Sequence, residues 1–278
     1  SQEMFPGYAI DSITNGVHSV TWTSESFQQL YDHTIPGWRS DPFSLRYAIS
    51  LSNQEIWEVH VKAKAALLAE VQQRTRQQLR LDTFTIGFAR RATLYKRADL
   101  VLSAPRELID VAKKAGPLQI LFAGKAHPKD EPGKDMIRRI VQAAKQLERD
   151  VTILYLDNYD MTLARLMTAG VDLWLNTPQR PLEASGTSGM KAAHNGVPSF
   201  SVLDGWWLEG HIEGVTGWSI GSRMSQGTDQ REDARELYEK LRWTIVPMYY
   251  QSRDRWIDVM RHTIAFNASF FNTHRMAQ

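Results

Sequence analysis

From Leu81 onward the chain alternates short β-branched runs with longer amphipathic stretches, and this alternation restricts the fold more than any other feature. The short runs are "TFTIGFA", "LQILFAG", "VTILYL", "VDLWLN" and "VPSFSV"; residues 94–115, 134–148, 160–169 and 187–195 between them predict helices. Runs apolar at successive positions have both faces covered, and a strand–helix–strand order calls for parallel neighbours. The expected class is α/β, a doubly wound and mostly parallel, Rossmann-like sheet. Ligands of such sheets bind beyond the carboxyl ends of the strands. Those ends carry "ARRATLYK", "GKAHPKD", "DNYD", "NTPQRPLEASG" and "LDGWWLEG", the most polar and glycine-rich pieces of the segment.

Around this unit the signals are weaker. Residues 1–50 hold the turn markers "FPG", "TNG", "IPGW" and "SDP" without steady periodicity and read as irregular. Ser52-Asn-Gln-Glu55 reads as a capping box opening a helix that runs to about Leu79. Residues 234–271 predict one or two helices, aromatic on one face and interrupted at Pro247. With no repeat, low-complexity tract or clear linker, the expected organisation is a leading segment and helix over 1–80, then one domain over 81–278.

Several partner classes are disfavoured. The 33 basic and 31 acidic residues nearly cancel to a net charge of +2, so neither nucleic acid nor an anionic membrane is implied. Absence of cysteine removes disulfides, thiolate metal sites and cysteine nucleophiles, and suits a reducing, cytoplasmic compartment. The apolar runs fall far short of the roughly 20 residues of a membrane span, and no basic-then-apolar leader opens the chain. A start at Ser-Gln without methionine reads as a cut or processed end.

Three stretches carry the chemistry. In "EASGTSGMK", Glu183, Ser185 and Gly186 precede a predicted helix whose first turn holds Thr187, Ser188 and Gly189. Free amides at a helix start attract anions, and glycines permit close approach, so this reads as a phosphate cradle. Lys191, one turn on, could reach back and form an imine with an aldehyde cofactor; a glycine-rich cap with a solvated lysine fits the same pattern. "FARRATLYK" places Arg90, Arg91 and Lys96 at one strand end, cations suited to a dianion, or else to an exposed basic loop. "YLDNYD" puts Asp157 and Tyr159 past the third strand, where a carboxylate could face a pyridinium nitrogen or sugar hydroxyl and a phenol a phosphate, or where a simple turn would do. His127 and His194 lack companions at metal-ligand spacing and read as structural, no metal is expected, and Trp206-Trp207 fits a core pair better than a sugar platform.

Together these stretches resemble the C-terminal domain of the α-glucan phosphorylases, the glycogen, starch and maltodextrin phosphorylases. "EASGTSGMK" carries most of the resemblance, "ARRATLYK" supports it, and "FAGKAHPKD", "NGVH" and "LDGWWLEG" resemble the shorter bacterial and archaeal branch, from about Ile13 to the end. The resemblance implies pyridoxal 5′-phosphate held on Lys191 as a Schiff base. Arg90, Thr187 and Ser188 would surround its phosphate with Tyr159 nearby, and Asp157 would lie beside its ring nitrogen. Arg91 and Lys96 would hold the substrate phosphate, while Glu183, Ser185 and Gly186 would bind the transferred glucosyl unit. The implied reaction is reversible phosphorolysis of a terminal α-1,4 bond to α-D-glucose 1-phosphate with retention, at a cleft between two Rossmann-like domains of the GT-B arrangement. The N-terminal domain of that pair is missing here, which implies a fragment with little or no activity alone and with exposed aromatics through which it could self-associate. Where longer members read Thr-Gly-Asn before Met-Lys, this chain reads Thr-Ser-Gly. Two other readings use the same residues: a retaining nucleotide-sugar glycosyltransferase of GT-B fold with Lys191 unmodified, and a non-catalytic glucan-binding module.

Overall fold

The computed structural model describes residues 7–221 and 229–278. Six strands, β1 (Phe84–Ala89), β2 (Leu118–Ala123), β3 (Thr152–Leu156), β4 (Leu173–Asn176), β5 (Ser199–Val202) and β6 (Gly217–Ile220), form one sheet. Its order is β3-β2-β1-β4-β5-β6, and every neighbouring pair is parallel. The doubly wound sheet expected from the alternation is therefore present. The helices are α1 (Ser19–Trp22), α2 (Glu25–Thr34), α3 (Asn53–Thr75), α4 (Pro105–Ala115), α5 (Glu131–Leu147), α6 (Met161–Gly170), α7 (Thr187–Ala193), α8 (Trp207–Gly210), α9 (Gln230–Lys240), α10 (Val246–Gln251), α11 (Arg253–His262) and α12 (Thr273–Ala277). Among the described residues no helix is long and apolar enough to cross a membrane.

Four local expectations need correction. The sixth strand, "GWSI", is four residues long and opens on a glycine at φ 145°, so its strand character comes from pairing Phe200 of β5 with Trp218, not from any run of its own. Residues read as irregular contain α2, which buries Phe27, Leu30 and Tyr31, and a 3-10 stretch Pro42–Ser50 that buries Pro42, Leu45 and Ala48. Burial every third residue is the 3-10 period, which a search for the α-helical period passes over. The helix expected over 94–115 is split into 3-10 turns Leu94–Lys96 and Leu100–Leu102, followed by α4. Pro105 bars its predecessor from the helical region, and Ala104 lies at φ −130°, ψ 83°. At the other end, α9 runs through a π-helical stretch Leu241–Ile245 into α10, so the helix passes Pro247 and breaks at Ser252 instead. The wide turn, in which the Val246 amide donates to the Leu241 carbonyl, lets the chain pass a residue without an amide proton.

The capping box at Ser52 and Glu55 forms with both of its bonds, and α3 ends where Arg76 turns left-handed at φ 61°. Midway along α3 the helix is fastened to the sheet through charge. Asp172, just before β4, accepts from Lys64 Nζ at 2.5 Å, from the Thr85 amide at 2.7 Å, and pairs with His60 Nε2 at 2.9 Å. Lys64 also donates to the Thr83 carbonyl at 2.8 Å. Burial alone would raise the Asp172 carboxyl, but Lys64 and His60 outweigh it and hold it below the ordinary carboxylate range. This cluster joins the amino ends of β1 and β4, away from the carboxyl ends that carry the polar loops.

Asp172→Ala would strand the buried Lys64 ammonium against the Thr83 carbonyl and the Tyr249 hydroxyl. It should cost about 3–5 kcal/mol, read as a lower urea midpoint with an unchanged slope.

Candidate active site

Between β1 and β4 the order of connection reverses, and at such a point ligands of a doubly wound sheet bind beyond the carboxyl ends of the strands. Two side chains bridge it. Arg90, the residue after β1, donates through Nη1 to Oδ1 of Asn176, the last residue of β4. Asn176 is oriented in turn by donating to Ser201 Oγ on β5 at 3.0 Å.

The same guanidinium pairs with Glu183 Oε2 at 2.5 Å, and that oxygen also takes Lys96 Nζ at 2.6 Å. The three side chains are 8%, 6% and 6% exposed, so the cluster is desolvated. Burial pushes the Glu183 carboxyl up, yet the bonds and charges of Arg90 and Lys96 bring it below the usual range. Both loops feeding this cluster are held rigidly. Arg97, left-handed at φ 45°, donates to the carbonyls of Thr177 and Pro178 and to Asp233 of α9, while the Glu183 amide donates to Asp204 Oδ2 at 2.9 Å. Sequence reasoning overlooked Arg97, Asn176 and Asp204; the only signal for Arg97 is its place beside Lys96.

In the glycine-rich loop the glycines leave room for a side chain of the fold. A Cβ on Gly189 would lie 2.7 Å from Trp206 Cζ2, and one on Gly186, itself at φ 83°, 3.2 Å from Trp206 Cδ1. The close approach they permit is that of a buried indole, whose backbone amide donates to the Ser185 carbonyl at 2.9 Å. Ser188 Oγ accepts from Trp174 Nε1 of β4 at 3.1 Å. Ser185 Oγ is buried without a hydrogen-bond partner, and Thr187 is half-buried in the first turn of α7.

Lys191 lies on α7, half-buried, with no ion pair among the described residues. Its ammonium stands 3.7 Å from the centroid of the Trp22 ring, and burial lowers its pKa. Trp22 belongs to the stretch that looked irregular. Asn195 pins it there: Nδ2 donates to the carbonyls of Trp22 and Lys191, and Oδ1 accepts from the Ser24 amide. His194 is structural, as read from the sequence. It is fully buried, with Nδ1 on the Met190 carbonyl and Nε2 on Ser19 Oγ, and burial brings its pKa down to about 4.

Tyr159 lies near Arg90. Burial lifts its hydroxyl to about 12 while the nearby charge of Arg90 pulls the other way, and its ring packs against the clusters containing Trp174 and Met190. Arg91 is exposed and free of ion pairs among the described residues. Asp157 is exposed in the turn after β3, where its carbonyl accepts from Arg74 at 3.2 Å; no described bond joins its carboxylate to the cluster. His127 is also exposed and accepts from the Lys129 amide, while Trp206 and Trp207 are buried in the core as expected.

Residues 2–219 match the family model for carbohydrate phosphorylase. The chain belongs to that family. It is 39% identical to the maltodextrin phosphorylase of Thermococcus litoralis over 289 residues, which covers 97% of this chain and 35% of that protein. For the glycogen phosphorylase of Aquifex aeolicus the identity is 38%, with 96% and 42% covered. For that of Mycobacterium tuberculosis it is 35%, with 92% and 33% covered. This carbohydrate phosphorylase chain thus spans between 33% and 42% of the length of these relatives.

Two outcomes follow from the packing of this phosphorylase chain. Gly189→Ala should lose about 1–3 kcal/mol in urea unfolding, because the Trp206 indole has to move. His194, near 4 in the fold and 6.5 when unfolded, makes the native state bind fewer protons between those values. Its contribution is intact above pH 6.5 and falls toward pH 4 by about 3 kcal/mol; in His194→Gln the fall in urea midpoint between pH 6.5 and 4.5 should flatten.

Proposed function

We propose that this chain is the cofactor- and phosphate-binding part of a cytoplasmic α-glucan phosphorylase. The complete enzyme would cleave terminal α-1,4-glucosidic bonds with inorganic phosphate, giving α-D-glucose 1-phosphate with retention. The observation that carries the reading is the state of Lys191: an amine whose pKa burial lowers, seated against an indole, with no ion pair among the described residues. Such an amine suits attachment of an aldehyde cofactor, since it is the neutral form that attacks a carbonyl. The residues around it fit pyridoxal 5′-phosphate. The Ser188 hydroxyl, although it accepts from Trp174, still has a proton to donate to a phosphate, and Ser185 Oγ, buried without a partner, is left for a sugar hydroxyl.

In this reading Lys191 anchors the cofactor, Arg90, Thr187, Ser188 and Tyr159 surround its phosphate, and Asp157 serves its ring nitrogen. When bound, the cofactor supplies a phosphate group that passes a proton to or from inorganic phosphate. Arg91 and Lys96 hold that inorganic phosphate, and Glu183, Ser185 and Gly186 take hydroxyls of the transferred sugar. A phosphate dianion beside an oxocarbenium-like state stabilises its positive charge and supplies the nucleophile. Crowding two phosphates requires fixed cations, each charge-assisted contact contributing about 1.5–3 kcal/mol; Arg90, Arg91 and Lys96 provide them. The grip on the glucan belongs to a second, N-terminal domain across a GT-B cleft, so the present chain alone is expected to turn over little or no maltodextrin.

Incubation with pyridoxal 5′-phosphate, borohydride reduction and peptide mass spectrometry should place one pyridoxyl phosphate on the peptide bearing Lys191. The label should vanish in Lys191→Ala. An unmodified Lys191 would overturn the cofactor assignment.

A further inference from the structure

Glu183 occupies the place where an anion would sit. Arg90 Nη1 and Lys96 Nζ both end on its Oε2, at 2.5 and 2.6 Å, inside a desolvated cluster. Phosphate oxygens need the same donors, because guanidinium forks and ammonium groups have no better-matched partners than carboxylate and phosphate. We infer that in the cofactor-free chain Glu183 is an internal occupant of the anion site that Arg90 and Lys96 form, and that inorganic phosphate binding there expels its carboxylate from Arg90 and Lys96 and frees it for a sugar hydroxyl. The inference rests on the phosphate-binding reading above.

Charge gives the reason. Two cations against one carboxylate leave one positive charge in the cluster. Adding a dianion while Glu183 stays would leave a net negative charge away from water, whereas adding it as Glu183 leaves gives a neutral group. The movement must be a side-chain rotation, because the backbone is fixed. The Glu183 amide is held by Asp204, and a Cβ on Gly205 would stand 2.9 Å from the Glu183 carbonyl and 2.5 Å from that of Ser185. The carboxylate can accept from a sugar only after leaving its cations. Phosphate and sugar therefore assist one another, and linkage makes the assistance equal in both directions.

Calorimetric titration with inorganic phosphate at constant ionic strength tests this on three proteins, the wild-type chain, Glu183→Gln and Lys96→Met. Glu183→Gln should bind phosphate about tenfold or more tightly than wild type, since the competing charge is gone, and Lys96→Met should bind it much more weakly. Without phosphate Glu183→Gln should melt earlier than wild type, and phosphate should raise its Tm by more. Should that variant be unfolded alone, phosphate should restore its fold, and failure to do so overturns the inference. Equal or weaker binding by Glu183→Gln also overturns it while leaving the phosphate site standing. Absence of phosphate binding by the wild-type chain and by Glu183→Gln removes the site itself, and labelling of Lys191 then still decides the cofactor reading separately.

Discussion

A carboxylate fully withdrawn from water at the amino end of the sheet, Asp172, is what the arrangement depends on. It binds the starts of β1 and β4 to the middle of α3, and it is tolerated only because an ammonium, an imidazole and an amide all point at it. With β1 and β4 tied together at that end, their far ends can carry polar loops instead of packing contacts. The second carboxylate cluster, around Glu183, sits at those far ends. The two resemble each other in chemistry, each holding a lysine against a buried carboxylate, and differ in what surrounds them: strand backbone at the first, loops at the second.

The sheet was largely legible because β1, β2, β4 and β5 are buried at every position, a pattern written directly into residue type. β6 was not, since its identity lies in its neighbour. Pro105 and Pro247 show the two directions in which a single residue misleads. At 105 the proline divides what looked like one helix, and at 247 a π-helical turn lets a helix continue through an apparent stop.

The site was legible as an inventory and much less so as an arrangement. Arg90, Lys96, Glu183 and Lys191 stand out as charged residues at strand ends, but their pairing does not. The family resemblance implied phosphate for Lys96 and sugar for Glu183, and it gave no sign that these two side chains pair with each other. Nor could local pattern show that the glycines accommodate Trp206, or that Asn195 reaches back to Trp22, 173 positions earlier. Contacts of that length are set by the sheet as a whole. The chain belongs to the carbohydrate phosphorylases and spans 35% of the maltodextrin phosphorylase it matches.

The seat of Trp22 has an optical consequence. Its indole lies within 3.7 Å of the Lys191 amine, held by side-chain bonds that do not involve the amine itself. Anything attached to that nitrogen that absorbs near-ultraviolet light would sit in contact with a fluorophore whose position is already fixed. Although the chain has nine tryptophans, emission lost from this one would report occupancy of the lysine without any added label.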